Sequence, residues 1–390
     1  MGLTFPFPGP PGPGEAIEIL PGLHWLRFPL PLKLDHVNLW LLEDDDGLTV
    51  IDTGLADETT RGLWEGFLRT PRAPTHAGAF EATAPVRRIL VTHHHPDHCG
   101  LGDWVADRCG AAVVMSSAAH EAGLVLRDRQ KGTDMRSTAA RLAGHGLSAE
   151  AGAFLVDHAA DLESLRPGLP AEFIPLADGD TVATGRYTWR VIFGQGHAPD
   201  HVCLYCADPV AARSGGAASG TARDAASGAA SGAGAAASAS AGGAGVLISG
   251  DMVLPHISTH VGSPATWLPG NPVALFHESL RRLAQLPPDT LVLPGHGLPF
   301  IGLRERVAEL ERHHEERCRT IAGALDEPRS AAELLQVVFQ RELDPLQLML
   351  AMNEAVAHLE YMTDRGELER LAGADGVTRY VQKERMGRAT

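Results

Sequence analysis

The run Ile89-Leu90-Val91-Thr92-His93-His94-His95-Pro96-Asp97-His98-Cys99-Gly100 limits what this chain can become more than any other stretch. Its three apolar residues read as a buried strand. His93, His95, Asp97 and His98 follow at once, where strand gives way to loop. Imidazole nitrogen and carboxylate oxygen suit zinc and related divalent ions. His93 and His95 are two apart, so in extended chain they point to the same side. Asp97 and His98, beyond the proline, can turn toward a second ion. Pro96 stiffens the turn, while Gly100 and Gly102 let the next helix begin close by. The plain alternative is a solvated histidine-rich loop, and the rest of the chain argues against it.

The same pattern recurs: an apolar strand, a small residue, then a ligand-capable side chain. Leu48 to Ile51 leads to Asp52, Tyr187 to Phe193 leads through Gly194-Gln195-Gly196 to His197, Val246 to Ser249 leads through Gly250 to Asp251, and Leu291 to Leu293 leads through Pro294-Gly295 to His296. Loops at strand ends, held by a rigid sheet, are where a site can be assembled.

Length and charge narrow the classes. The 390 residues, 44% apolar, suffice for one large domain plus a small one. A net charge of −15 argues against a generic nucleic-acid binder and against an anionic membrane surface. Five scattered cysteines (Cys99, Cys109, Cys203, Cys206 and Cys318) are no disulfide framework and fit a reducing compartment. No signal-peptide pattern and no membrane-length apolar run is visible, so the expected location is the cytoplasm.

Along the chain, residues 1–15 are Pro/Gly-rich and expected to form a flexible arm. Strands are expected over His24–Phe28, Val37–Leu42 and Leu48–Ile51, the last two flanking an acidic turn. Helices are expected over Asp57–Leu68, Leu101–Cys109 and Ser117–Leu126, with a strand at Ala111–Met115 and less regular helix over residues 127–170. Strands follow at Phe173–Leu176, Thr181-Val182, Tyr187–Phe193 and Val202–Tyr205. Residues 211–245 are almost wholly Ala, Gly and Ser and are expected to be disordered, parting two strands that pair. Beyond a helix at Ala274–Leu286, residues 301–390 change character: three helices (Arg304–Leu325, Ser330–Phe339 with Ser330 as N-cap, Pro345–Arg365), then a β-hairpin with a wing strand at Val377–Val381. That order suggests a winged-helix-like domain, but 13 Lys/Arg against 17 Asp/Glu over this segment favours packing or homodimer formation over DNA binding.

Taken together, the motifs resemble the metallo-β-lactamase superfamily over roughly residues 20–300. His93, His95, Asp97 and His98 match its H-x-H-x-D-H signature, and His197, Asp251 and His296 its later ligands. The resemblance implies an α+β four-layer fold, an αβ/βα sandwich over residues 16–300, carrying the winged-helix-like tail. It implies two divalent ions, zinc by default, with iron or manganese accepted by the same ligands. His93, His95 and His197 would hold the first ion; Asp97, His98 and His296 the second, with Asp251 bridging. Asp52 would orient a ligand imidazole. His98 and the lack of a cysteine ligand after His197 separate the chain from β-lactamases with a cysteine in the second site. His95, in place of Glu, separates it from the di-iron flavoprotein branch. The layout is similar to the glyoxalase II and β-lactamase-like protein 2 groups. Asp200 stands where many relatives have glycine, which bears on His201, expected to support the ligands.

Two such ions share a water and make it hydroxide near neutral pH. Asp97 and Asp251 are the expected catalytic carboxylates, and the expected substrate is a small-molecule thioester or ester. A phosphodiesterase or endoribonuclease, a lactonase, and a metal-stabilised binding protein are the rivals. His256 and His260, in the loop after Asp251, are candidates for substrate contact. Cys203-x-x-Cys206 and Cys99 read as packing residues, His313-His314 as plain helix residues, and His94 as structural or exposed.

Overall fold

A computed structural model describes residues 2–69, 84–129, 134–159, 165–209, 245–262, 270–339 and 341–383. The Ala/Gly/Ser stretch expected to be disordered lies, apart from Gly245, outside the described residues. Two sheets face each other. The first runs in chain order: β1 (Ala16–Leu20), β2 (Leu23–Pro29), β3 (His36–Asp44), β4 (Gly47–Ile51), β5 (Val86–Leu90), β6 (Ala112–Ser116), β7 (Ile174–Leu176). It is antiparallel up to β4 and parallel from β4 onward. The second has the reverse order, from β13 (Phe300–Ile301) through β12 (Leu291–Pro294), β11 (Val246–Gly250), β10 (His201–Cys206) and β9 (Tyr187–Gly194) to β8 (Thr181–Thr184). Only its β11–β12 pairing is parallel.

Period-two alternation decides which side chain enters which layer. In β3, Leu39 and Leu41 face outward onto α1 (Glu58–Arg69), where Trp64 and Phe67 cover them, and onto α3 (Gly102–Cys109). Trp40 and Leu42 face inward, and with Trp25, Trp189, Val191, Leu204, Ile248 and Leu293 they fill the space between the sheets. The outer face of the second sheet is covered by α7 (Pro272–Leu283) and α8 (Leu303–Gly323) through Phe276, Leu280, Val307 and Leu310. The expected four-layer sandwich follows. In β10, Cys203 points to the outer layer and Cys206 to the inner one, so these cysteines cannot share a bond or an ion.

The tail runs α8, α9 (Ala331–Val338), α10 (Pro345–Asp364), then a hairpin of β14 (Leu368–Ala372) and β15 (Thr378–Gln382). Ser330 caps α9 in a reciprocal capping box with Glu333. The tail's core, with Ile321, Leu334, Met352, Leu359 and Tyr380, is completed by Leu142 of α5 (Asp134–Ala143) and Leu155 of α6 (Ala149–Asp157). The N-terminal arm departs from its expected looseness. Thr4 exchanges both backbone hydrogen bonds with Ile301, Phe5 stacks on His256, and Phe7 meets Trp25 edge-on. The prolines remove ladder donors, but Thr4 keeps one, and the aromatic rings supply apolar area to bury.

Candidate metal centre

All the ligand-capable residues lie along one edge of the sandwich. Asp52 follows β4, and His93 to His98 follow β5, with Pro96 opening the one-turn helix α2 (Pro96–Cys99). His197 sits in the β9–β10 turn, Asp251 follows β11 and His296 follows β12. Three groups of donor atoms converge, each within 4.8 Å: His93, His95 and His197; Asp97, His98 and His296; and His93, His98 and Asp251. Asp251 reaches both sides, with Oδ1 3.3 Å from His98 Nε2 and Oδ2 3.3 Å from His296 Nε2 and 3.7 Å from His197 Nε2.

Hydrogen bonds on the far side of each ring fix which nitrogen carries the proton. The His197 Nδ1–H donates to the carbonyl of His260 (2.8 Å), and the His296 Nδ1–H to the carbonyl of His36 (2.6 Å). The His98 Nδ1–H donates to Asp52 Oδ2 (2.7 Å). Thr92 gives its N–H to Asp52 Oδ1 and its hydroxyl to Asp52 Oδ2, both at 2.8 Å. Its hydroxyl oxygen is therefore left to accept from His93 Nδ1–H (3.0 Å). Asp52 thus sets the tautomer of two imidazoles, one directly and one through Thr92. It does so from a left-handed backbone (φ 63°), a conformation that Asp tolerates better than most side chains.

Each Nε2 is consequently the position left to face a cation, a metal ion or a proton. His93 Nε2 and His197 Nε2 face each other at 3.2 Å, and His98 Nε2 and His296 Nε2 at 3.3 Å. Lone pairs at such range repel unless positive charge lies among them. Among the described residues, Asp251 Oδ1 is buried with no hydrogen-bond donor. These residues therefore fit divalent ions. The electrostatics agree. Burial holds His93 and His95 well below the ordinary imidazole range and brings His197 to about 4, which keeps them neutral donors. Burial pulls His98 and His296 the same way, but Asp251 and Asp97 outweigh it, raising His98 well above its usual value and His296 to about 9. His296 and His98 in turn hold Asp251 well below, and Asp97 below, the usual carboxylate range against burial. The group as a whole favours cations.

The site opens where His95, Pro96 and Asp97 are half-buried; the other donors are buried. Glycines make room: a methyl at Gly295 would overlap Asp251 Oδ1, and one at Gly250 would strike the His201 ring.

The remaining expected residues fall into place individually. His201 is buried and belongs to none of the three donor groups; its Nε2 accepts the backbone N–H of Asp251 (3.1 Å), and its ring stacks on His93. Asp200, also at positive φ (41°), takes a hydrogen bond from Gln195 across the β9–β10 turn. His256 is exposed and its ring stacks on Phe5. His260 turns its carbonyl to His197 and its ring toward Glu354 of α10. His94 is fully buried, which removes the exposed alternative; burial pushes it to about 3. His314 packs between Phe276, His277 and His358 as a core residue.

Sequence reasoning missed Thr92, the carbonyls of His36 and His260, and Glu354. A carbonyl acceptor has no side-chain signature. Thr92 carried one signal, its place between a strand end and the first histidine.

Residues 32–217 match the family described as "Metallo-beta-lactamase superfamily", and residues 318–383 match "Metallo-beta-lactamase-like, C-terminal domain". The chain is similar to a β-lactamase domain protein of known structure from Burkholderia ambifaria, at 36% identity over 97% of this chain and 98% of that one, with a TM-score of 0.78. A metallo-β-lactamase family protein from Thermus thermophilus is 28% identical over 94% of this chain and all of that one, with a TM-score of 0.67. The "Probable metallo-hydrolase YqjP" of Bacillus subtilis is 23% identical over 351 residues, 86% of this chain and 91% of that protein.

Proposed function

Since the chain belongs to the metallo-β-lactamase superfamily, we propose that it is a metal-dependent hydrolase of a thioester or ester carbonyl, working with two divalent ions. The observation that carries this reading is Asp251, whose two carboxylate oxygens face both donor sets at once. His93, His95 and His197 would hold one ion; Asp97, His98 and His296 would hold the other. Bound there, such ions supply Lewis acidity and lower the pKa of water to near neutrality.

The protein's part is orientation and proton placement. Asp52 keeps the His98 proton, and through Thr92 the His93 proton, on Nδ1. The carbonyls of His260 and His36 do the same for His197 and His296. All four rings are held so that Nε2 faces the site. Asp97 stands at the opening, with Oδ2 3.4 Å from His296 Nε2. Its carboxylate orients the attacking water toward a carbonyl carbon arriving past His95. No Ser or Cys nucleophile is needed: Cys99, next to the site, is buried, its thiol pushed well up by burial, and it points at the His94 carbonyl. The net charge of −15 favours an uncharged carbonyl over a polyanion such as RNA.

The test is a panel of acyl thioesters, esters, lactones, phosphodiesters and single-stranded RNA, offered to metal-loaded and chelated protein. Turnover of thioesters or esters that vanishes on chelation is expected. Cleavage confined to phosphodiesters or RNA would replace this reading with the nuclease one, and two bound ions without turnover would favour a binding protein.

A further inference from the structure

We propose that Thr259–Gly262, clamped by Glu354 of α10, is a splint through which the C-terminal helices hold the metal ligands in place, with His260 as its positioning residue. The inference rests on the metal site proposed above and adds a dependence on residues far from it in sequence.

The segment touches both halves of the site through its own backbone and hydroxyl. Thr259 Oγ1–H donates to the carbonyl of Asp251 (2.6 Å), with both groups buried. One residue on, the His260 carbonyl accepts the Nδ1–H of His197 (2.8 Å). Val261 then enters the core layer shared with α7 and α8. So four residues set where Asp251 starts and how His197 is turned.

A loop of this kind needs an anchor on its other side. The His260 ring supplies one, with Nδ1 3.6 Å from Glu354 Oε2. Glu354 is fixed in turn: its Oε1 lies 2.9 Å from Arg317 Nη1 of α8, with both side chains nearly buried. Arg317 also lies over the Phe339 ring at 4.7 Å, just past α9. A chain of contacts therefore runs from α8 and α10, through Glu354 and His260, to His197. Gly262 shows how closely the loop is pressed on α10. A methyl there would come within 2.9 Å of the Glu354 backbone nitrogen and 2.8 Å of the His260 ring. A backbone atom cannot give way, so the close approach demands glycine.

Partners that orient ligands typically change metal affinity by about 10- to 100-fold when removed. The His260 ring acts one bond further out, so the lower end applies. The experiment uses the full chain loaded with zinc and reads affinity by chelator competition, with metal content by mass spectrometry. His260→Ala keeps the Glu354–Arg317 pair and hence the packing of α8 on α10. About tenfold weaker retention of the ion held by His93, His95 and His197 is expected, with the metal-free melting midpoint little changed. His260→Asn, whose amide nitrogen falls near the place of Nδ1, restores most of the affinity. Glu354→Gln weakens retention in the same direction, and combining it with His260→Ala adds little, since both cut one path. Unchanged zinc retention in His260→Ala overturns the splint, as does a double variant whose losses simply add. If wild-type protein retains no zinc at all, the proposed metal site fails instead, and the two failures are told apart.

Discussion

Asp52 shows what one side chain does at this site. It commits both oxygens to ordering Thr92 and His98, and it occupies a left-handed backbone position to do so. Asp52→Asn keeps that backbone, which Asn tolerates, but replaces an anionic acceptor with a neutral amide. It is expected to weaken metal binding by about 10- to 100-fold with little loss of fold, as read by chelator competition and circular dichroism. His95→Ala and Asp251→Ala remove donors outright. Each should bring hydrolysis to background while the far-ultraviolet spectrum stays native, because the layer between the sheets is apolar and independent of these residues. The donors were legible in the sequence because few reasons exist to place His, His, Asp and His at a strand end. What held them was not. Two of the four ring-orienting groups are backbone carbonyls, and Glu354 stands among uncharged neighbours, Met352, Asn353, Ala355 and Val356, that carry no hint of a role at the site.

At the scale of elements, alternation and capping carried most of the reading. The hairpin of β3 and β4, the strands ending at Asp52, Asp251 and His296, and the Ser330 cap followed from period, turn residues and N-cap chemistry. The hairpin strand β14 was harder, because Leu368-Glu369-Arg370-Leu371-Ala372 has helix-forming residues and owes its extended form to pairing with β15. The contact between α8 and α10 holds a prediction that alternation does not reach. His358 Nδ1–H donates to the Glu354 carbonyl, so its Nε2 accepts from His314 Nδ1 (3.0 Å). Burial brings His358 to about 4 and His314 to about 2, so both are neutral in the fold. The unfolded chain binds protons at these residues from about pH 6.5 downward, and the fold does not until much lower. Their stabilisation is therefore complete above about pH 6.5 and lost as pH falls toward 4. For His358 the loss by pH 5 is roughly 2 kcal/mol. The stability gap between wild type and His358→Gln, measured by urea melts, should shrink by about that amount between pH 7.5 and 5. A gap that does not move with pH would refute the neutral buried imidazole.

For the molecule as a whole, the order of motifs was readable and the joints were not. Residues 1–15 read as a loose arm because of their prolines, yet Thr4 and two phenylalanines make fixed contacts. The tail's core takes in α5 and α6, a sharing that no local pattern announces. The long Ala/Gly/Ser stretch joins two strands whose ends already meet, Cys206 lying opposite Val246. Replacing residues 211–244 by a short Gly-containing turn should leave hydrolysis and melting near wild type, and a large loss of either would give the stretch a role.

Each of the two groups proposed to hold an ion, His93 with His95 and His197 and Asp97 with His98 and His296, draws from both sheets. His93, His95, Asp97 and His98 hang from the first, His197, Asp251 and His296 from the second. An ion seated in either group is therefore a rivet through two plates, and neither plate has enough holes to keep it alone. Occupancy then adds to cohesion: an ion at a hundred times its dissociation constant contributes about 2.7 kcal/mol to the folded state. Chelation should lower the melting midpoint of the whole chain by several degrees, with the first amides to exchange faster lying along the edge where the sheets are fastened.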